Sequence, residues 1–187
     1  MKAIYHLIAI LLAVFALSFP AVASDTPPLP FYDYDACPFE CCTYRTWTAV
    51  ANTALLKDHI DSSSKVTIVN AGEEVQGITG VVITTKAGRV KIVKEIALTK
   101  ENSQEEIKLK PGDIIYNLRY VGEGYDKFWL NGIFLVDQTS ITKVGKSEFW
   151  EVIDLPEWVW WAKIKRQNGD VGWTRELNHF AHIDACE

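Results

Sequence analysis

Asn131-Gly132 stands between two apolar runs, Tyr125 to Leu130 (YDKFWL) and Ile133 to Val136 (IFLV). Both central residues of a type I′ turn need positive φ, and Asn-Gly meets that need, so the stretch reads as a β-hairpin. The pattern recurs along the chain. Asn168-Gly169 separates Trp158 to Arg166 (WVWWAKIKR) from Val171 to Thr174, and Ala87-Gly88 separates VQGITGVVITT from RVKIVK. Val66 to Val69 and Asp113 to Val121 are further β-branched or alternating runs bounded by turns. Glu148 to Glu157 fits one helical turn or a loop. No segment carries sustained helical periodicity, so the expectation is an all-β chain of short strands. Such strands, joined by tight turns, close into small barrels that remove exposed edges. The polar stretch Lys100 to Lys110, ended by Pro111-Gly112, is the candidate boundary between two units.

The chain opens MKAIYHLIAILLAVFALSFPAVAS. Lys2, an apolar run of about 13 residues and the small-x-small pattern Ala21-Val22-Ala23 predict a secretory signal peptide over residues 1–23. The run is short of the roughly 20 residues a spanning helix needs, so no membrane anchor is expected after cleavage. Residues 24–42 then read as an extended segment that begins Pro-rich. The net charge is −5, and no basic stripe marks a nucleic-acid partner.

Trp160 to Phe180 (WWAKIKRQNGDVGWTRELNHF) resembles the last half of an SH3-fold domain, and its Gly172-Trp173 pair is closer to the bacterial SH3-like branch. Ala54 to Gly80 is similar to the front half of such a domain. DACPFECCTYR, with Trp47, resembles the N-terminus of secreted bacterial proteins that carry SH3-like domains. The resemblance implies two small SH3-like barrels in tandem, at residues 43–95 and 107–187, with residues 96–106 as linker. It also implies a binding module that attaches to cell-wall peptides or to proteins. The Pro and Tyr that grip polyproline ligands in eukaryotic relatives are absent after Trp173, where Glu176, Leu177, Asn178 and His179 stand instead.

Seven tryptophans are many for this length. Strand alternation puts Trp158, Trp160 and Ala162 on the face of Ile164, and Trp161, Lys163 and Lys165 on the other. A binding face drawn from Trp129, Trp160, Trp161 and Trp173 is expected, with small-barrel cores as the competing destination for each ring.

Four cysteines, Cys37, Cys41, Cys42 and Cys186, decide between chemistry and support. A redox centre wants Cys-x-x-Cys at a helix start, and a catalytic thiol wants a paired histidine; neither pattern is present. His179, His182, Asp184 and Cys186 are close in sequence, yet zinc cysteines come as paired knuckles, so no metal is expected. An even count in an exported chain points to disulfides. A bond between neighbours Cys41 and Cys42 is strained, so either Cys41 or Cys42 bridges to Cys186 while Cys37 takes the other. The acids Asp33, Asp35, Glu73, Glu74, Glu105 and Glu106 fall in turns and polar stretches, with nothing to set two across a cleft. The expectation is therefore an exported, periplasmic or secreted protein without catalytic residues or cofactor. It binds cell-wall peptide or a protein partner; the alternatives are a small cell-wall hydrolase, or an inhibitor or structural partner of another secreted protein.

Overall fold

The computed structural model describes residues 25–186; the expected signal peptide, residues 1–23, lies outside them. The elements are β1 (Phe31–Tyr34), β2 (Thr46–Ala49), β3 (Thr53–Leu56), β4 (Lys65–Val69), β5 (Glu74–Lys86), β6 (Gly88–Ile92), β7 (Ile96–Thr99) and β8 (Glu106–Leu109). They continue with β9 (Ile114–Gly122), β10 (Tyr125–Leu130), β11 (Ile133–Gln138), β12 (Gly145–Lys146), β13 (Trp150–Val152), β14 (Glu157–Arg166), β15 (Val171–Thr174), a 3₁₀ turn (Leu177–His179) and β16 (Phe180–Ala181). The all-β, disulfide-braced expectation holds, and the strands read from Asn-Gly and Ala-Gly punctuation are all present.

The division of the chain differs from the expected one. One sheet runs β16-β2-β5-β14-β15-β3-β4, with β1 paired to β5; a second runs β11-β10-β9-β6-β13-β12, and β7-β8 form a third. Strands assigned to opposite halves of the sequence therefore share a sheet. β5 and β14 pair antiparallel from Val75↔Arg166 to Lys86↔Glu157, and residues 88–152 form the other two sheets between them in sequence. The second unit is inserted into the first and does not follow it. Nor is 96–106 a linker: β7 and β8 pair as a hairpin from Ile96↔Leu109 to Thr99↔Glu106. The reason is β5. It is long enough to hold β2 on one edge near Gln76 and β1 on the same edge near Val82, with β14 along the other.

The two units are built alike. In the outer unit β2 pairs both β5 and β16, and β5-β14-β15 form a meander. In the inserted unit β6 pairs both β9 and β13, and β9-β10-β11 form the meander. The turn that feeds each long strand repeats atom for atom. Gly72 (φ 84°) and Gly112 (φ 100°) occupy the left-handed region that a side chain resists. Their N–H groups donate to Ala49 O (2.8 Å) and Ile92 O (2.9 Å). One residue on, Glu73 and Asp113 accept from the backbone N–H of Asn70 (3.2 Å) and Lys110 (2.7 Å). A register shift recurs as well, between Lys163 and Ile164 and between Lys127 and Phe128.

Each unit has its own core. The outer one gathers Trp47, Leu55, Val69, Val75, Val82, Trp160, Ala162 and Ile164; the inserted one gathers Val90, Ile92, Leu98, Leu109, Ile115, Phe128 and Leu135. At the centre of the first, the Tyr44 hydroxyl donates to Ala36 O (2.5 Å) and accepts from Trp160 Nε1 (3.2 Å). These atoms lie on Gly80, where a Cβ would collide with Tyr44 Oη and Trp160 Nε1. Between the units, Ala87, Leu118 and Trp129 pack with Phe31, Tyr116 and Phe134, and Thr84 Oγ1 donates to Leu118 O (2.9 Å).

The disulfides are Cys37–Cys42 and Cys41–Cys186, so Cys41 holds the long bridge. The chain ends are zipped beside it. Ala185 N donates to Cys41 O (2.8 Å), Thr43 N to Ile183 O (3.2 Å), and Arg45 donates to His182 O (2.9 Å) and Asp184 O (2.6 Å). The long bridge spans 145 residues, and the chain-entropy model assigns such a loop at most about 5 kcal/mol. Non-reducing peptide mapping is expected to recover one Cys41–Cys186 peptide; a Cys42–Cys186 peptide contradicts the structure.

Burial pushes the Tyr44 phenol from 10.0 up to about 12, and the Trp160 hydrogen bond offsets only part of this. The folded state then keeps its proton where the unfolded chain has lost it. The contribution is fully present below pH 10 and is lost as pH rises through about 12. Urea midpoints measured across that window should fall more steeply for the wild type than for Tyr44→Phe; parallel curves contradict the assignment.

Candidate functional site

The four tryptophans expected to form one face are placed in three different surroundings. Trp160 is in the outer unit's core beside Tyr44 and Trp47. Trp129 is 4% exposed and lies between the units, its ring against Tyr116. Trp161 and Trp173 alone share a surrounding: both belong to a small cluster with Val81, Ile83, Val159 and Leu56 on the outer face of the first sheet. Alternation explains the split, because Trp160, Ala162 and Ile164 point inward and Trp161 and Lys163 outward. Trp158 departs from this pattern and is 38% exposed. Its pairing with Thr84 follows a register shift after Glu157.

Trp161 forms the floor of a shallow cleft of about 190 Å³, lined by Ala54, Leu56, Asp61, Thr174, Arg175 and Glu176. The Arg175 guanidinium lies 5.8 Å above the Trp161 ring and pairs with Asp61 at 2.8 Å. Lys163 lies 5.7 Å above Trp173. The cleft thus combines an aromatic floor with both signs of charge at its rim, the composition of a surface that holds a polar, partly apolar ligand.

Beside it, β1 adds an aromatic ledge that the sequence reading missed. Tyr32 and Tyr34 stack at 6.1 Å, and His59 from the β3–β4 loop reaches both rings and Trp173. The signal was available in FYDY, whose alternation puts Tyr32 and Tyr34 on one strand face and Phe31 and Asp33 on the other. It was hidden by the prolines before it.

The remaining polar groups are engaged in structure. Asp33 accepts from Arg119 Nε (2.5 Å) and Lys127 Nζ (3.0 Å), and Lys127 also pairs with Glu101 (2.8 Å). Asp35 accepts from Thr79 (2.6 Å). Glu73 is held by Arg166 through two bonds (2.6 and 2.9 Å), with Arg166 the main cause of its lowered pKa. Burial raises the Asp126 carboxyl above its ordinary range, against donors from Thr139, Ile141 and Asn117. Cys41, Asp184 and Cys186 lie close enough together to suggest a metal. Both sulfurs are in the disulfide, which leaves no thiolate to ligate. His179 Nδ1 is within hydrogen-bond reach of Thr53 (3.0 Å) and His182 Nδ1 of Thr48 (3.4 Å), so the two histidines engage different strands.

The placement of the tryptophans has a direct consequence for stability. Trp129→Ala and Trp160→Ala should each lower unfolding free energy by about 3–5 kcal/mol in urea titrations. Trp173→Ala, at a half-buried position on the outer face, should cost clearly less; equal losses contradict the assignment of Trp173 to the surface. Compared with protein-family models, curated proteins and solved structures, the chain matches none of them.

Proposed function

We propose that the protein is an exported, non-catalytic binding module of the bacterial cell envelope, which takes cell-wall peptide in the cleft over Trp161 and beside Trp173. Two disulfides are compatible with an oxidising, extracytoplasmic space. The SH3-like reading is supported by strand order. In each unit one strand pairs both the long strand and the last strand, and the long strand opens a three-stranded meander. In the outer unit a 3₁₀ turn precedes the last strand.

One observation carries the reading. Of the inserted unit's aromatic rings, Tyr116, Trp129 and Phe134 are packed against Phe31 of β1 and the junction at Ala87. On the outer unit Trp161, 3% exposed, forms the base of a cleft rimmed by Asp61, Glu176 and Arg175, and the half-buried Trp173 lies beside it. A short peptide that carries amines and carboxylates matches that mixture of charge and ring. Fold alone does not assign the ligand; the mixture of charge and ring on this face supports a peptide.

The chain from Ser24 to Glu187 should be retained on purified, insoluble cell wall. Trp173→Ala and Arg175→Ala, confirmed as folded, should each weaken retention about tenfold or more, as central aromatic and arginine contacts do. Lys143→Ala, in the inserted unit, should retain fully. No retention of the wild type at any salt concentration removes the cell wall as the ligand.

A further inference from the structure

The β3–β4 loop folds back over the outer face and inserts His59 among three aromatic rings. The centroids of Tyr32, Tyr34 and Trp173 lie 5.9, 6.3 and 5.1 Å from the imidazole. The two tyrosine rings are nearly parallel, 14° apart. Asp58 Oδ1 stands 2.7 Å from His59 Nδ1, yet that nitrogen is buried and no hydrogen bond of proper geometry reaches it. The imidazole is 17% exposed on its side chain, while Tyr32 and Tyr34 are 41% and 62% exposed, so the box is open on its outer side.

Ring faces are negative and attract a cation within about 6 Å. The imidazole is held in this box by ring contacts and by Asp58 at 2.7 Å from its buried Nδ1, a contact without good hydrogen-bond geometry. A group that spreads positive charge over an apolar surface and needs no directed hydrogen bond fits better. An alkylated ammonium is such a group: its methyl groups meet the rings, and Asp58 supplies the counter-charge.

We propose that Tyr32, Tyr34 and Trp173, with Asp58 at the rim, form a cage for an organic ammonium group, which His59 fills until a ligand displaces the loop. The loop is suited to move as one piece. Its internal bonds, Lys57 N to Ser64 O (2.9 Å), Asp58 N to Ser63 Oγ (3.0 Å) and Ser63 N to Ile60 O (2.9 Å), hold it together. One exposed ion pair, Asp61 with Arg175, ties it to the cleft. The inference rests on the reading of this face as a binding surface and narrows its ligand to one that carries an ammonium group.

The test is a titration of choline chloride into the Ser24 to Glu187 chain, followed by the Trp173 indole N–H resonance. Sodium chloride at equal ionic strength and the uncharged carbon analogue of choline serve as controls. The expected result is a saturable shift with choline only. His59→Gly should bind about tenfold tighter, since apparent affinity scales with the fraction of open cage, and Tyr34→Leu about tenfold weaker. The cage is overturned by the absence of a saturable shift in both wild type and His59→Gly, by an equal response to the uncharged analogue, or by an unchanged Tyr34→Leu. Equal affinity of wild type and His59→Gly overturns the role given to His59. Wall retention without choline binding refutes the cage alone; choline binding without wall retention refutes the wall ligand alone.

Discussion

The pairing of β5 with β14 is the interaction on which the rest of the molecule depends. It joins Val75–Lys86 to Glu157–Arg166 in register, across an insertion that is itself a folded unit. Without it the outer unit has no meander, Trp160 loses Val82 as its neighbour across the sheet, and Trp161 has no outer face to stand on. Closing so long a loop costs conformational entropy, though the cost grows only slowly with length. The inserted unit reduces it further, because β6 and β13, at the two ends of the insertion, pair with each other from Val90↔Val152 to Ile92↔Trp150. The ends that β5 and β14 must bring together are already neighbours. The Cys41–Cys186 bridge and the zipped tail do the same for the chain ends.

The nesting also decides which surface is free. Strand β1 lies on the outer unit's sheet and sends alternate side chains two ways. Phe31 and Asp33 meet the inserted unit, where Asp33, together with Glu101, pairs the nearly buried Arg119 and Lys127. Lys127 further lies 5.6 and 5.3 Å from the Phe31 and Phe134 rings. Removing one member of such a group leaves an uncompensated, nearly buried charge, which is costly. Tyr32 and Tyr34 point the other way and extend the open aromatic face. One four-residue strand thus closes one face and builds another.

Much of this was legible in the sequence, and the reasons are local. Asn131-Gly132, Asn168-Gly169 and the β-branched runs locate hairpins, because the turn chemistry and alternation act over a few residues. Of the set Trp158, Trp160, Ala162 and Ile164 that alternation put on one face, the last three point inward, and the register shift after Glu157 takes Trp158 out of it. Cysteine spacing limited the long bridge to Cys41 or Cys42, and only three-dimensional placement chose Cys41. What escaped was long-range. Nothing local in Glu74–Lys86 says that its partner lies beyond the next unit in sequence. The hairpin of β7 and β8 was hidden by the polar residues Lys100 to Glu105 at its turn. The cleft was half legible: Trp161 and Trp173 were named, while Trp129 lies between the units and Trp160 in the outer core, placements that depend on long-range pairing. Tyr32, Tyr34 and His59 come together from a segment read only as extended and from the β3–β4 loop.

The nested arrangement is most directly tested by cross-strand nuclear Overhauser effects in the protein labelled with ¹⁵N and ¹³C. The account predicts backbone contacts between Gly80 and Ala162 and between Val82 and Trp160, which places the strand after the insertion beside the strand before it. Contacts that instead join Glu157–Arg166 to Ile133–Gln138 contradict it, since they describe two units in succession and remove the sheet that carries the open aromatic face.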